Sequence, residues 1–222
     1  MQSFPEEVME RLLKRYPDYK DTMLNFSTPT ELLIATILSP QCTDKQVNNV
    51  TKELFGKYKS FRDYANANTK ELSADLSGIN YYKTKAKHVI ETAKIIEKQF
   101  HGRVPRTAGE LMILPGVGRK VANVVLTNGF GITEGIAIDT HCITVANRLR
   151  LTRSKNPLKI EKDLMRKIPK RYWLNASNLF ITLGRDVCRA NRKDCAHCVL
   201  NDICPSSNVK MKDGFYDIAL SE

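Results

Sequence analysis

Four cysteines fall within 17 residues near the C-terminus: Cys188, Cys195, Cys198 and Cys204, spaced C-x6-C-x2-C-x5-C. Four thiolates in such a run suit a tetrahedral zinc ion or a [4Fe–4S] cube, and ligand chemistry alone does not choose between them. A zinc ribbon usually carries two close C-x2-C knuckles. Only Cys195 and Cys198 make one here, which leans toward iron and sulfide. Plain buried thiols are a poor account of so tight a cluster, and a secreted disulfide framework would spread its cysteines more evenly. Arg189, Arg192 and Lys193 make the loop between the first two ligands basic. A metal-pinned loop of that kind presents cations to phosphate at little entropic cost. His197 reads as a surface residue, while Cys42 and Cys142, which stand alone, read as small apolar core residues.

A second constellation runs from Leu114 to Asp139. It opens with Leu114-Pro115-Gly116-Val117-Gly118-Arg119-Lys120 and closes with Ile138-Asp139-Thr140-His141. Glycines on both sides of Val117 predict a hairpin whose backbone approaches another molecule closely, since neither has a Cβ and both tolerate positive φ. Residues 119–127 read as a helix, and free amides at such a turn and helix start cradle a phosphate oxygen. Lys120 then sits in a first helical turn, where the macrodipole and the charge of Arg119 both favour the neutral amine. A neutral lysine is a nucleophile able to form a Schiff base with a carbon at the aldehyde oxidation level. The plain alternative is a solvated lysine that helps to hold phosphate. Asp139 is a good N-cap for the next helix, worth about 1 kcal/mol. The same geometry keeps a carboxylate ionised, so capping and chemistry are compatible.

The elements that must position these residues are helical almost throughout, with no repeat or low-complexity tract. Pro5 opens a helix with Glu6 and Glu7 in its first turn, and Val8, Met9, Leu12, Leu13 and Tyr16 mark its buried face before Pro17. Thr28-Pro29-Thr30-Glu31 is a capping box leading into Leu32 to Leu38, apolar on nearly all sides and expected at the centre of a core. Thr43 with Gln46, Ser60 with Asp63, Asn68 with Glu71 and Thr107 with Glu110 mark further helix starts. Ser77 to Tyr82 reads as a loop. Ala86, Val89, Ile90, Ala93, Ile96 and Phe100 share a helical face closed by Gly102. After the hairpin, Val121, Val124 and Val125 are expected to pack inward, with Lys120, Asn123 and Thr127 on a polar stripe. Six or seven short helices between about residues 24 and 134 predict a compact all-α domain. Further helices are expected over 158–168 and from 174 to about 184, and the segment after Cys204, with Ser206-Ser207-Asn208, reads as a tail.

The 222-residue chain carries a formal net charge of +11, which favours a polyanionic partner, nucleic acid or an anionic membrane surface. Residues 148–172 hold ten basic side chains against Glu161 and Asp163; the bland account of such a run is a solvated helix face. The strongest apolar run, Leu32 to Leu38, is too short to span a bilayer. Glu6 and Glu7 stand where a signal peptide would want lysine, so a soluble intracellular protein is expected.

Taken together, the hairpin from Leu114 to Lys120, the Ile138-Asp139-Thr140-His141 segment and the four-cysteine tail resemble the endonuclease III family of helix-hairpin-helix DNA glycosylases and lyases. The resemblance runs from about Leu32 to Cys204, and the three motifs in that order are highly specific. It implies a six-helix barrel domain over 24–134, with the helix-hairpin-helix at about 108–128. It also implies a discontinuous second helical domain, 1–23 with 135–222, bearing a [4Fe–4S] cluster at 188–204, the two enclosing a cleft where double-stranded DNA lies. Lys120 matches the family's catalytic lysine, which attacks C1′ of an extruded nucleotide, and Asp139 its catalytic carboxylate. Removal of an oxidised pyrimidine of the thymine glycol type and 3′ cleavage by β-elimination follow from the same resemblance. So do DNA contacts at Gly116, Val117, Gly118, Arg119, Arg189, Arg192 and Lys193.

Two loops resemble elements that penetrate the duplex. Ser39-Pro40-Gln41-Cys42-Thr43-Asp44 looks like the loop whose glutamine fills the hole left by the flipped nucleotide, with Cys42 in place of a small alanine. Ile79-Asn80-Tyr81-Tyr82 has Asn80 and Tyr81 where the family commonly has glycine and leucine. Asn80 is expected to keep the left-handed turn, and Tyr81 to stack on a base. The competing readings are a glycosylase of the same fold acting on mismatched thymine, uracil or adenine, a non-catalytic DNA-binding module, and a metal-centred electron carrier. A monomer at the nucleoid in the cytoplasm is expected.

Overall fold

A computed structural model of the chain describes residues 2–19 and 22–209. These are helical and divide into two compact units, residues 21–137 and residues 1–20 with 138–222. The architecture is all-α with two domains, and no helix among the described residues is long and apolar enough to cross a membrane.

In the unit of residues 21–137, α2 (Pro29–Leu38) starts where Thr28 accepts the Glu31 amide, and every residue from Leu32 to Leu38 is buried. Burying such leucine and isoleucine side chains contributes about 1.5–3 kcal/mol each, which places α2 at the middle of the core. Around it come α3 (Asp44–Lys57), α4 (Phe61–Ala65), α5 (Thr69–Asp75) and α6 (Tyr82–Phe100), followed by α7 (Ala108–Leu111) and α8 (Arg119–Phe130). Thr43, Ser60, Asn68 and Thr107 cap their helices through side-chain oxygens, as their spacing predicts. α2 packs against α3, α6 and α8. A Cβ at Gly129 would lie 3.3 Å from Leu32 Cδ2, so this glycine lets α8 approach α2 closely.

α8 departs from expectation in two respects. It runs through Gly129 to Phe130 and ends at left-handed Gly131, with the Gly131 and Ile132 amides returning to the Thr127 and Leu126 carbonyls. Asn123 is also not on an exposed stripe. It is buried with Ala122, Val125 and Leu126, while Val124 is only half-buried, because the face covered by α2 and α7 is broader than the apolar spacing alone suggests.

In the other unit, α1 (Phe4–Arg15) packs on α11 (Trp173–Asp186), and α9 (Thr140–Arg148) packs on α10 (Pro157–Lys167) and α11. Polar ties join α1 to the C-terminal part of the chain. Arg11 binds Asp202 at 2.5 Å, Tyr16 donates to Asp186 at 2.9 Å, Tyr172 donates to Glu10 at 3.0 Å and Arg171 meets Glu6 at 2.5 Å. Gly184 presses on α9: a Cβ there would come 3.0 Å from His141 Cβ. On α10, Ile160, Glu161 and Leu164 are buried, and Lys159, Lys162, Arg166 and Lys167 are exposed, which makes this part of the basic run a solvated face.

The segment after Cys204 is not a tail at its start. The Ser206 hydroxyl donates to the Arg148 carbonyl at 2.7 Å, and the Ser206 carbonyl accepts from the Lys193 ammonium. A serine-rich composition carries no sign of such contacts to residues far back in the chain. The rest of the expected tail, from residue 210, lies outside the described residues.

Candidate functional site

The hairpin takes its shape from one glycine rather than two. Gly116 has φ +80°, and a Cβ there would meet His88 Nδ1 at 3.1 Å and Ile37 Cγ2 at 3.4 Å. Gly118 is extended, with φ −90° and ψ 178°, and nothing lies within 4 Å of where its Cβ would be. Backbone conformation therefore does not require glycine at 118, and the space beside its Cα is open. Val117 is 6% exposed and its amide donates to the Leu114 carbonyl at 3.1 Å. Its side chain is thus a plug that seats the hairpin in the core. Thr92 of α6 donates to the Pro115 carbonyl at 3.2 Å and fixes the other side of the turn.

No side chain caps the start of α8, so the amides of its first turn are presented to an incoming acceptor. Arg119 is half-buried and reaches the Glu134 carbonyl at 3.3 Å. Lys120, the second residue of α8, is exposed.

Asp139 caps α9 through Oδ1, which accepts the Cys142 amide at 2.8 Å. Its carboxylate is half-buried. Cys142 is fully buried, and burial, followed by the charge of Asp139, pushes its thiol up to about 12. Its reading as a small apolar core residue fits that environment.

Both loops of the expected duplex-penetrating pair belong to the unit of residues 21–137. Gln41 is exposed at φ +58°, and Tyr81 at φ +57° is 64% exposed as the N-cap of α6. The left-handed residue is therefore Tyr81 and not Asn80. Asn80 uses its amide side chain instead, donating to the Gln41 carbonyl at 2.6 Å. Holding a residue with a side chain in that region costs about 1–2 kcal/mol, so each tip is kept there by its surroundings.

In the other unit, all four tail cysteines line one small pocket, partly open to solvent, with Arg148, Lys193 and Ser206 also on its wall. No group of three or more His, Cys, Asp or Glu side chains among the described residues is placed to hold a metal ion. The four thiols surround a space. Burial pushes the Cys198 thiol up to about 11 and raises that of Cys204, and the neighbouring cysteines push in the same direction. Holding four thiolates there calls for compensating cationic charge. The donor set, four thiols on one pocket wall, fits the ligands of a [4Fe–4S] cube.

Arg148 supplies part of that charge, and sequence reasoning counted it only as one more basic residue. From the last turn of α9 its guanidinium donates to the Cys188 carbonyl at 2.9 Å and Sγ at 3.3 Å, and to the Arg189 and Ala190 carbonyls at 2.9 and 2.8 Å. No local motif signals this role, since the contacts span some forty residues of chain. Arg189 and Arg192 are exposed, whereas Lys193 is half-buried and turned toward Ser206. His197 is exposed and pairs with Asp194 at 2.8 Å.

Residues 34–170 match the model of the HhH-GPD superfamily of base excision DNA repair proteins. Endonuclease III of Synechocystis sp. is 41% identical over 90% of this chain and 91% of its own length, and that of Bacillus subtilis 41% identical over 94% and 95%. A trapped endonuclease III–DNA covalent intermediate superposes with a TM-score of 0.84 at 39% identity, covering 93% of this chain and 97% of the other. A thermostable thymine-DNA glycosylase shares the fold, with a TM-score of 0.81 at 22% identity. At this identity over nearly the whole of both chains, the protein belongs to the endonuclease III family of DNA glycosylase and AP lyase enzymes.

Proposed function

We propose that the protein excises oxidised pyrimidines of the thymine glycol type from double-stranded DNA and then cuts the resulting abasic strand on its 3′ side. The observation that carries this reading is the exposed Lys120 amine in the first turn of α8, directly after a hairpin built to receive phosphate. Gly116, Val117, Gly118 and Arg119 contribute backbone and charge to that phosphate contact, Val117 by seating the turn. Arg189 and Arg192 add contacts farther along the strand, and Lys193 acts indirectly by fixing the loop that carries them. Gln41 and Tyr81 enter the stack, because chemistry at C1′ requires an extruded nucleotide and a damaged pair is cheaper to open.

Lys120 Nζ, as the neutral amine, forms a bond to C1′ while the bond from C1′ to the base nitrogen breaks, and the base leaves with a proton. Asp139, oriented by the Cys142 amide of α9, stabilises positive charge developing on the sugar or takes a proton from Lys120. Opening of the sugar ring gives a Schiff base between Nζ and C1′. Loss of a C2′ proton then expels the 3′ phosphate and breaks the strand. Cys188, Cys195, Cys198 and Cys204 hold a [4Fe–4S] cluster that supplies a rigid, charge-compensating anchor for the basic loop. The enzyme works as a monomer at the nucleoid.

Borohydride added to a mixture of protein and an abasic duplex reduces the Schiff base to a stable covalent adduct. Lys120→Ala is expected to form no adduct and to lose strand cleavage by about a thousandfold or more, with duplex affinity kept within a few-fold. Absence of an adduct from wild-type protein overturns the lyase assignment. Adducts undiminished in Lys120→Ala overturn the choice of nucleophile.

A further inference from the structure

The two duplex-penetrating loops are far apart in sequence, yet side chains tie them together. Lys85, on α6, is 5% exposed. Its ammonium donates to the Leu38 carbonyl at 2.7 Å, the Pro40 carbonyl at 2.8 Å and Cys42 Sγ at 3.1 Å. Those three acceptors use all three of its protons, and they bracket Gln41 on both sides. The Asn80 amide closes the structure from above through the Gln41 carbonyl at 2.6 Å.

The remaining polar groups of the first loop are used locally. Ser39 Oγ donates to the Ala35 carbonyl at 2.7 Å, the Cys42 amide to the Ser39 carbonyl at 3.0 Å, and the Thr43 amide to Gln46 at 2.9 Å. The second loop is seated just as firmly. Ile79 is buried, and a Cβ at Gly78 would stand 3.0 Å from Val50 Cγ2 of α3. What remains exposed is the pair of tips, Gln41 and Tyr81, both in left-handed backbone.

We propose that Asn80 and Lys85 are positioning residues that lock Gln41 and Tyr81 into one rigid two-pronged element for opening duplex DNA. The inference rests on the DNA-opening role proposed above. A prong already in its inserted conformation loses little entropy when it enters the stack. Lys85 anchors the Gln41 loop to the helix whose first turn follows Tyr81, and Asn80 sets the separation of the tips. A glycine at position 80 would have no side chain with which to make this bridge. The rigid link acts on opening of the duplex and not on chemistry at C1′.

The test compares wild type with Asn80→Gly, which removes the bridge, and Asn80→Asp, which replaces the donor by a carboxylate facing the Gln41 carbonyl. Asn80 is exposed, so both variants are expected to fold with an unchanged melting temperature. Two readouts are taken. One is cleavage of an abasic site in a duplex and in the same single strand. The other is fluorescence of 2-aminopurine opposite a non-cleavable abasic analogue, which reports unstacking without chemistry.

Removing one such hydrogen bond is expected to lower duplex cleavage and the 2-aminopurine signal about fivefold, more in Asn80→Asp, with single-strand cleavage unchanged. Lys85→Met, which keeps the stem and loses the ammonium, is expected to reduce the 2-aminopurine signal further. Equal losses on single strand and duplex, or no loss of the 2-aminopurine signal in either Asn80 variant, overturn the proposal. If wild type unstacks the duplex without cutting it and Asn80→Asp fails to unstack it, the brace stands and the lyase reading falls. If wild type neither unstacks nor cuts, both fall.

Discussion

The hairpin and the thiol loop, both proposed above to meet phosphate, are held in shape by opposite physical means. The hairpin is seated by apolar burial: Leu114 and Val117 are nearly inaccessible, and Gly116 fits against Ile37 and His88. The thiol loop has little apolar content. Arg148, Lys193 and Ser206 hold it through carbonyls, and burial makes the Cys198 and Cys204 thiols resist ionisation. A surface built on packing keeps its shape unaided. One built on charge around a cavity depends on what fills the cavity.

The largest effect expected from this difference comes from losing the proposed cluster. Cys198→Ala is expected to yield protein without iron or acid-labile sulfide, and to be cut by trypsin at exposed Arg189 and Arg192 about tenfold faster or more, as the loop opens. Amide exchange at Val125 and Leu126 is expected to stay slow. Equal loss of protection in both regions would break the comparison, and zinc in place of iron would overturn the cluster.

A smaller effect is expected from Arg148→Ala. It removes four guanidinium contacts and leaves the partly buried Cys188 carbonyl unsatisfied, at a cost of about 1–3 kcal/mol. The melting temperature is expected to fall and the iron content per chain to drop. Full iron occupancy at wild-type stability would show that the ligands alone shape the loop.

These two regions also differ in how much could be read before the fold was known. Helix starts at Thr28, Thr43, Ser60, Asn68 and Thr107, the central α2 and the Asp139 cap were readable because capping chemistry and apolar spacing act over three or four residues. The same holds for the motif residues from Gly116 to Lys120 and the four cysteines. Arg148, Ser206 and Lys85 were not readable as site residues, since their partners lie tens of residues away and any arginine, serine or lysine looks alike locally. Asn80 and Tyr81 show the intermediate case. A left-handed residue was expected in that turn, but packing of Ile79 and the bridge to Gln41 shift it by one position. Asn123 was misplaced for a related reason, as helical periodicity does not say how wide a buried face its neighbours create.

The smallest effects separate the two glycines of the hairpin. Gly116→Ala must hold φ +80° with a side chain and bring its Cβ to 3.1 Å from His88, so about 1–2 kcal/mol of stability is expected to be lost. Thermal unfolding and affinity for an abasic duplex should fall together. Gly118→Ala meets nothing within 4 Å and has ordinary extended backbone, so its stability is expected to stay within about 0.5 kcal/mol of wild type. Its added methyl nevertheless stands beside the uncapped amides of α8, where a phosphate oxygen must come within hydrogen-bond distance. Affinity for DNA is therefore expected to drop severalfold at unchanged melting temperature. A melting temperature lowered as much by Gly118→Ala as by Gly116→Ala would mean that both glycines serve the fold, and that open backbone at residue 118 is not what receives the strand.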